Sequence, residues 1–377
     1  MKNVLLIGFG SEIGSMLIYL NNPKKDNFMI KTVVTKLIDP TIKDSLNSLK
    51  ARLIILNPTL IDSIKIDEKS SSIIINGRKI KVIWSQSENL TKIKFKKKFD
   101  ATIVATSKSQ INNKKLMYSF LKFSHYVFGV AENRKLPAIY PSLLNVNDKF
   151  ITNKKKNTNE KIFVFGSCQS NGWMSSLAAL LDVVNKLCKD FDLLNIEVDI
   201  VHPDTPTGRL GTKSLNPRDQ DPRDNLRPSF SQVSDSMKRL FPGIENHNTV
   251  SLRTLTSPPG YMISRFYFKY KMSDNKSLDY KIIRDNLGKL SIKQKFNYSL
   301  SELSLGSKAF SYSENASNIL SDKKYLIFKD DVFKNNSKNK ISELIIQSYV
   351  HNTRGYCRSV IEALKWFFNS KKNQFFL

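Results

Sequence analysis

The sequence predicts an α/β protein of two domains, the first built on a mostly parallel sheet. Three observations carry that expectation. The first half of the chain alternates short apolar runs with helical patterns, as βαβ units do. Its 377 residues exceed what one small hydrophobic core supports. Hydrophobic residues make up 40% and aromatics 10%, with 23 Phe and 13 Tyr, so there is apolar surface enough to offset the entropy of ordering the chain.

Asn3 to Ile7 reads as a buried strand running into Gly8 and Gly10, and Ile13 to Leu20 follows as a helix. The apolar start is short and soon meets Glu12, which marks a strand and not a signal peptide. No window approaches the ~20 uninterrupted apolar residues of a membrane span. Ile30 to Ile38, rich in Val, Ile and Thr, is the second strand and ends at Asp39 and Pro40. Ser72 to Trp84 holds two β-rich runs joined by Asn76 and Gly77, which tolerate the positive φ of a two-residue hairpin turn. Ala101 to Ala105 resumes the sheet, Lys114 to Phe123 is a helix, and Asn147 to Glu160 is a polar surface loop. The first domain is placed at residues 1–166.

Ile162 to Phe165 is a short strand that delivers Gly166, Ser167 and Cys168 onto a helix from about Asn171 to Leu187. Strand Ile196 to Val201 leads to His202, and a polar loop with four prolines and four arginines continues to Arg227. A loop of that length points to function. Ser229 to Leu240 reads as a helix, Val250 to Leu255 and Tyr261 to Met272 as strands, and Tyr356 to Phe368 as an amphipathic helix. These place a second domain at 167–350 and a C-terminal segment at 351–377.

The formal charge of +27 has two explanations. Nucleic-acid binding is one. The other is heavy use of Lys, Asn and Ile along the whole chain, as in Lys154 to Lys156 and Lys334 to Lys340, and it is favoured because a nucleic-acid footprint clusters on one element or face. Three cysteines, Cys168, Cys188 and Cys357, are too few and too scattered for a disulfide framework or a zinc site, which indicates a reducing cytoplasm and no bound metal.

Gly8-Phe9-Gly10 between a strand and a helix is the start of a Rossmann-type dinucleotide-binding turn, where small residues let the backbone approach a pyrophosphate at a helix N-terminus. Gly14 comes one residue late, making the pattern GxGxxxG. Asp39, at the end of the second strand, stands where a carboxylate bonds the adenosine ribose, favouring NAD over NADP; an ordinary Asp-Pro turn is the competing reading. Cys168, at a strand end and helix start, gains thiolate character from backbone N–H groups and the helix dipole. With the imidazole of His202 it meets the needs of nucleophilic attack on a carbonyl if the two strand ends lie side by side. The competing reading is an inert buried cysteine.

The local words resemble the glyceraldehyde-3-phosphate dehydrogenase family. Ser167-Cys168-Gln169-Ser170-Asn171 is similar to its Ser-Cys-Thr-Thr-Asn, and Val201-His202-Pro203-Asp204-Thr205 to its Val-His-x-x-Thr. Leu252-Arg253-Thr254-Leu255-Thr256 resembles its Arg-Val-Pro-Thr strand, and Asn352-Thr353-Arg354-Gly355-Tyr356-Cys357 its Asn-Glu-Trp-Gly-Tyr-Ser. Ile38-Asp39-Pro40 and Ile75-Asn76-Gly77 fall in the family's order too.

The resemblance implies an N-terminal Rossmann-type NAD(P)-binding domain, an α+β catalytic domain, a C-terminal helix returning to the first domain, and a homotetramer. It implies that Cys168 attacks a small phosphorylated aldehyde while His202 takes its proton. Thr205 and Arg253 would hold the substrate phosphate, and Ser167 and Ser231 the attacking inorganic phosphate. Gly8, Phe9, Gly10, Ile13, Asp39 and Thr106 would line the cofactor site, with Asn352 fixing the nicotinamide carboxamide and Tyr356 packing beside it. Ser231-Gln232 departs from the family's Thr-Gly, Thr106-Ser107-Lys108 from its usual Ser-Thr-Gly, and the Cys168 to His202 interval of 34 residues is longer than usual. A related sugar-phosphate aldehyde, an acyl phosphate, or a catalytically silent relative that binds nucleic acid are the alternatives.

Overall fold

Val4, Leu5, Leu6 and Ile7 are buried at the centre of the first sheet, as a strand with parallel neighbours on both sides must be. The computed structural model describes residues 1–36, 45–85, 87–144, 146, 155–156, 159–204, 215–216, 219–244, 247–273, 277–293, 296–333, 340–369 and 375–376. The fold is mixed α/β and has two compact units, each with an eight-stranded sheet. The first unit comprises Met1–Ile139, Lys155–Gly166 and Val360–Leu377; the second comprises Tyr140–Lys154 and Ser167–Ser359. Among the described residues no helix is long and apolar enough to cross a membrane.

The strands of the first unit are β1 (Lys2–Ile7), β2 (Phe28–Thr35), β3 (Ile64–Asp67), β4 (Ser72–Ile75), β5 (Arg78–Trp84), β6 (Phe99–Val104), β7 (Ser124–Gly129), β8 (Lys155–Lys156) and β9 (Ile162–Val164). The sheet runs β3-β4-β5-β2-β1-β6-β7-β9, while β8 pairs with Phe375–Phe376 apart from it. From β5 to β9 every pairing is parallel, and the β3-β4-β5 meander adds the antiparallel edge. Asn76 (φ 50°) and Gly77 (φ 72°) make the turn between β4 and β5 that their residue types predict. Helix Glu12–Leu20 starts on Ser11, whose Oγ accepts from Gly14 N at 2.9 Å. Phe367, near the end of helix Arg354–Asn369, packs edge-on against Phe128 and Tyr126, with centroids at 5.0 and 4.8 Å. Such pairs add roughly 0.5–1.5 kcal/mol beyond burial.

Two predicted elements come out differently here. In place of one helix from Lys114 to Phe123 there are helices Lys108–Asn112 and Lys114–Ser119 and a tight turn Phe120–Lys122, because Asn113 breaks the run and its side chain caps the second helix. Strand β2 ends at Thr35; Asp39 lies outside the described residues.

The second unit is organised by helix Cys168–Leu187, almost wholly buried, against the strands β10 (Cys188–Pro203), β11 (Arg227–Pro228), β12 (His247–Thr254), β13 (Gly260–Met272), β14 (Tyr298–Ser301), β15 (Ser317–Leu320), β16 (Leu326–Lys329) and β17 (Ser342–Val350). Their order is β11-β12-β10-β13-β17-β15-β14, with β16 also on β17. The pairs β10/β12 and β14/β15 are parallel and the rest antiparallel. Strand β10 starts eight residues earlier than its apolar stretch, at Cys188 rather than Ile196, because the long partner β13 satisfies its backbone through the polar part. The helix predicted from Ser229 begins at Val233, since Arg227 and Pro228 are drawn into pairing with β12 and Ser231 Oγ accepts the Val233 N–H at 3.2 Å. Tyr140–Lys154 joins this unit through Ser142, whose Oγ donates to Asn171 O at 3.0 Å and whose carbonyl accepts from Asn297 Nδ2 at 3.1 Å.

Candidate active site

Gly166 (φ +73°) turns the chain after β9, and Ser167 (φ −87°, ψ 165°) caps the long helix, its Oγ accepting from Ser170 N at 3.0 Å. The helix thus starts at Cys168, three residues earlier than periodicity predicts, which puts the thiol in the first turn among N–H groups without intrahelical partners. Cys168 is half-buried, whereas Cys188 and Cys357 are buried. Burial pushes the Cys188 thiol up to about 11. Iodoacetamide at pH 7.5 is therefore expected to alkylate Cys168 at least about tenfold faster than either other cysteine. Peptide mass mapping over time reads this, and prior labelling of Cys188 or Cys357 would refute it.

The helix start lies at one end of the second sheet. Gly172 sits on Val350, where an added Cβ would approach Val350 Cγ1 to 2.4 Å. Val350 is paired with Gly260, and a Cβ there would meet Val201 O and Pro203 Cδ at 2.8 Å and Gln169 Nε2 at 3.7 Å. This gathers the C-terminal ends of β10, β12 and β17 and the start of β13 beneath the Cys168 turn. His202 alternates with buried Ile196, Val198 and Ile200, so it shares the face that the helix covers. Arg253 is its registered partner on β12, on the same face, and is 7% exposed.

His202 Nδ1 lies 2.6 Å from the Pro203 carbonyl oxygen. A carbonyl only accepts, so Nδ1 carries the proton, and in the neutral ring Nε2 keeps the lone pair a base requires. Arg253 donates from Nε to Ser229 Oγ at 3.3 Å and from Nη1 to Pro203 O at 3.4 Å. Both contacts hold the guanidinium beside the His202 strand end.

Gln169 Nε2 donates to Asn352 Oδ1 at 2.8 Å, both side chains being more than nine-tenths buried. Among the described residues, Asn352 Nδ2 and Gln169 Oε1 have no partner. Flipping both amides leaves the same balance, one open donor and one open acceptor. That is the complement of a primary carboxamide. Burial pulls the neighbouring His351 imidazole down, and its Nε2 lies 2.8 Å from Ser311 O, fixing the turn that carries Asn352.

The remaining predicted residues divide. Ser167 Oγ serves the cap and lies 2.9 Å from Ser170 Oγ, Ser231 is 7% exposed and holds the start of the next helix, and Tyr356 is buried. Thr205 lies outside the described residues. Gln169, Ser229 and the buried pair Arg227–Asp204 were not singled out by sequence, although Gln169 and Asp204 stand inside the quoted words.

In the first unit, Gly8, Gly10, Ser11, Thr35, Lys36, Arg52, Ala105, Thr106 and Ser107 line a pocket of about 340 Å³. Each glycine has a steric reason. Gly8 has φ +96° and a Cβ there would strike Ala105 O at 2.4 Å; one on Gly14 would strike Gly8 O at 2.3 Å, so Gly14 performs close helix–turn packing despite its late position. Gly10 leaves open the space beside Thr35 Oγ1. Thr106 Oγ1 is buried without a partner among the described residues. Phe9 is wholly buried, so only its backbone belongs to the turn, and Ile13 is half-buried in the first turn of the helix. Burial pushes the Glu12 carboxyl above its ordinary value.

No protein-family model matches the chain, and no curated protein sequence matches it.

Proposed function

We propose that the protein is an NAD(P)-dependent phosphorylating aldehyde dehydrogenase, akin to glyceraldehyde-3-phosphate dehydrogenases, oxidising a small phosphorylated aldehyde to an acyl phosphate. The observation that supports it most is the convergence of Cys168, His202 and Arg253 on one end and one face of the second sheet. The first unit supports it through the parallel order β5-β2-β1-β6-β7-β9, with a glycine turn leaving β1, the arrangement of Rossmann-type dinucleotide-binding folds. The open amide pair of Gln169 and Asn352 fits a carboxamide, and Thr106 Oγ1 with the glycine cradle fits a dinucleotide.

In this reading Cys168 Sγ bonds to the aldehyde carbon as His202 Nε2 takes the thiol proton, and the carbonyl electron pair moves to oxygen. Arg253 holds the substrate phosphate with its planar fork of donors. The nicotinamide, when bound, accepts a hydride. Re-forming the carbonyl expels that hydride and leaves a thioester on Cys168, and attack by inorganic phosphate breaks the C–S bond and returns the thiol.

The test is turnover of glyceraldehyde 3-phosphate and a panel of phosphorylated aldehydes with NAD or NADP and phosphate. With phosphate omitted, peptide mass analysis is expected to find the acyl group on Cys168. No reduced nicotinamide with any aldehyde and no acylated Cys168 would overturn the proposal.

A further inference from the structure

We infer that the first unit prefers the 2′-phosphorylated dinucleotide, NADP(H), over NAD(H). This rests on the dinucleotide reading of that pocket. What distinguishes the two cofactors is one phosphate on the adenosine ribose, and the wall that follows the second parallel strand is where the ribose is read. Among the described residues that wall carries two cations. Strand β2 ends at Thr35, Lys36 is the next pocket-lining residue, and Arg52 comes in from helix Ser45–Leu56.

Arg52 is aimed by a specific contact. Its Nε donates to Gly10 O at 2.7 Å, and a Cβ built on Gly10 would lie 3.9 Å from that nitrogen and 3.0 Å from Thr35 Oγ1. The bond uses one donor of the guanidinium and leaves its terminal nitrogens for an anion, with Lys36 as a second positive charge on the same pocket. A phosphate monoester brings about −1.5 to −2 charges and three acceptor oxygens, which suit a planar fork and an ammonium together. A bare 2′-hydroxyl gains little from either. No carboxylate lines the pocket among the described residues. Asp39, the sequence candidate for binding an unphosphorylated ribose, follows three residues after Lys36 and lies outside the described residues.

The experiment is direct binding of NADPH and NADH to the full chain by calorimetry, with adenosine 2′,5′-bisphosphate, AMP and inorganic phosphate as competitors. NADPH is expected to bind about tenfold or more tightly than NADH, and adenosine 2′,5′-bisphosphate to compete better than AMP by a similar factor, as one charge-assisted contact provides. Arg52→Gln and Lys36→Glu are each expected to weaken NADPH about tenfold while changing NADH less than about threefold. Lys36→Glu leaves the Arg52–Gly10 contact in place, so it reads charge alone. NADH binding as tightly as NADPH, or inorganic phosphate competing as well as the bisphosphate, would overturn the preference and leave the dinucleotide reading standing. Binding of neither nucleotide would overturn both.

Discussion

Replacing Cys168 with serine is expected to lower kcat/KM for the aldehyde by about 10⁴-fold or more, roughly 5 kcal/mol of transition-state stabilisation. Serine keeps the size of the side chain and the helix-starting role, so circular dichroism and the thermal midpoint should stay at wild-type values. The hydroxyl lacks a thiol's acidity and its product would be an ester, a poorer acyl donor to phosphate. His202→Asn should cost less, about 10²- to 10⁴-fold, the usual range for a general base. The double variant should be hardly slower than Cys168→Ser, because base and nucleophile act in one step. Cys168→Ser retaining a tenth of wild-type activity would remove the thiol from the reaction, and a double variant slowed by the full product of the two effects would separate the two roles.

The parts of the fold that could be read in advance are those fixed by local chemistry. Val4 to Ile7 needed only its apolar run to become a central parallel strand, and Asn76-Gly77 needed only its tolerance of positive φ to become a turn. The residues of β10 from Cys188 to Asn195 are polar enough to read as loop, and they become strand because β13 supplies partners from the far side of the sequence. The long helix starts three residues before its apolar periodicity does, because a serine cap depends on where its side chain turns, and Ser167 precedes a cysteine and a glutamine, not a helical pattern. The candidate site divides the same way. Cys168 and His202 were legible as helix-start and strand-end residues, and their shared sheet end follows from the packing of Gly172 on Val350 and of Gln169 beside Gly260. Gln169 and Ser229 were not, since their importance comes from what they touch, Asn352 at 183 residues' separation and Arg253 at 24.

Asp204→Asn is expected to destabilise the second unit by about 3–5 kcal/mol, the cost of leaving a buried cation without its counter-charge. Arg227 is 1% exposed and Asp204 6%, with Nη2 and Oδ2 2.5 Å apart. Arg227 Nη1 also donates to Gln220 O at 3.0 Å, so the pair pins the returning end of the loop that follows His202. Arg227 is registered opposite Arg253, and Asp204 is the carboxylate paired with Arg227. Urea unfolding should show the loss as an earlier transition. Exposed pairs such as Lys2–Asp100 offer the contrast, being worth about 1 kcal/mol at most. The decisive comparison is Asp204→Leu combined with Arg227→Met. If the carboxylate matters only as a counter-charge, removing both charges should recover most of the stability, because apolar replacements of buried pairs are often neutral or stabilising. A double variant as unstable as Asp204→Asn would mean that the carboxylate does more than neutralise Arg227, and an Asp204→Asn protein as stable as wild type would mean that the pair does not support the fold.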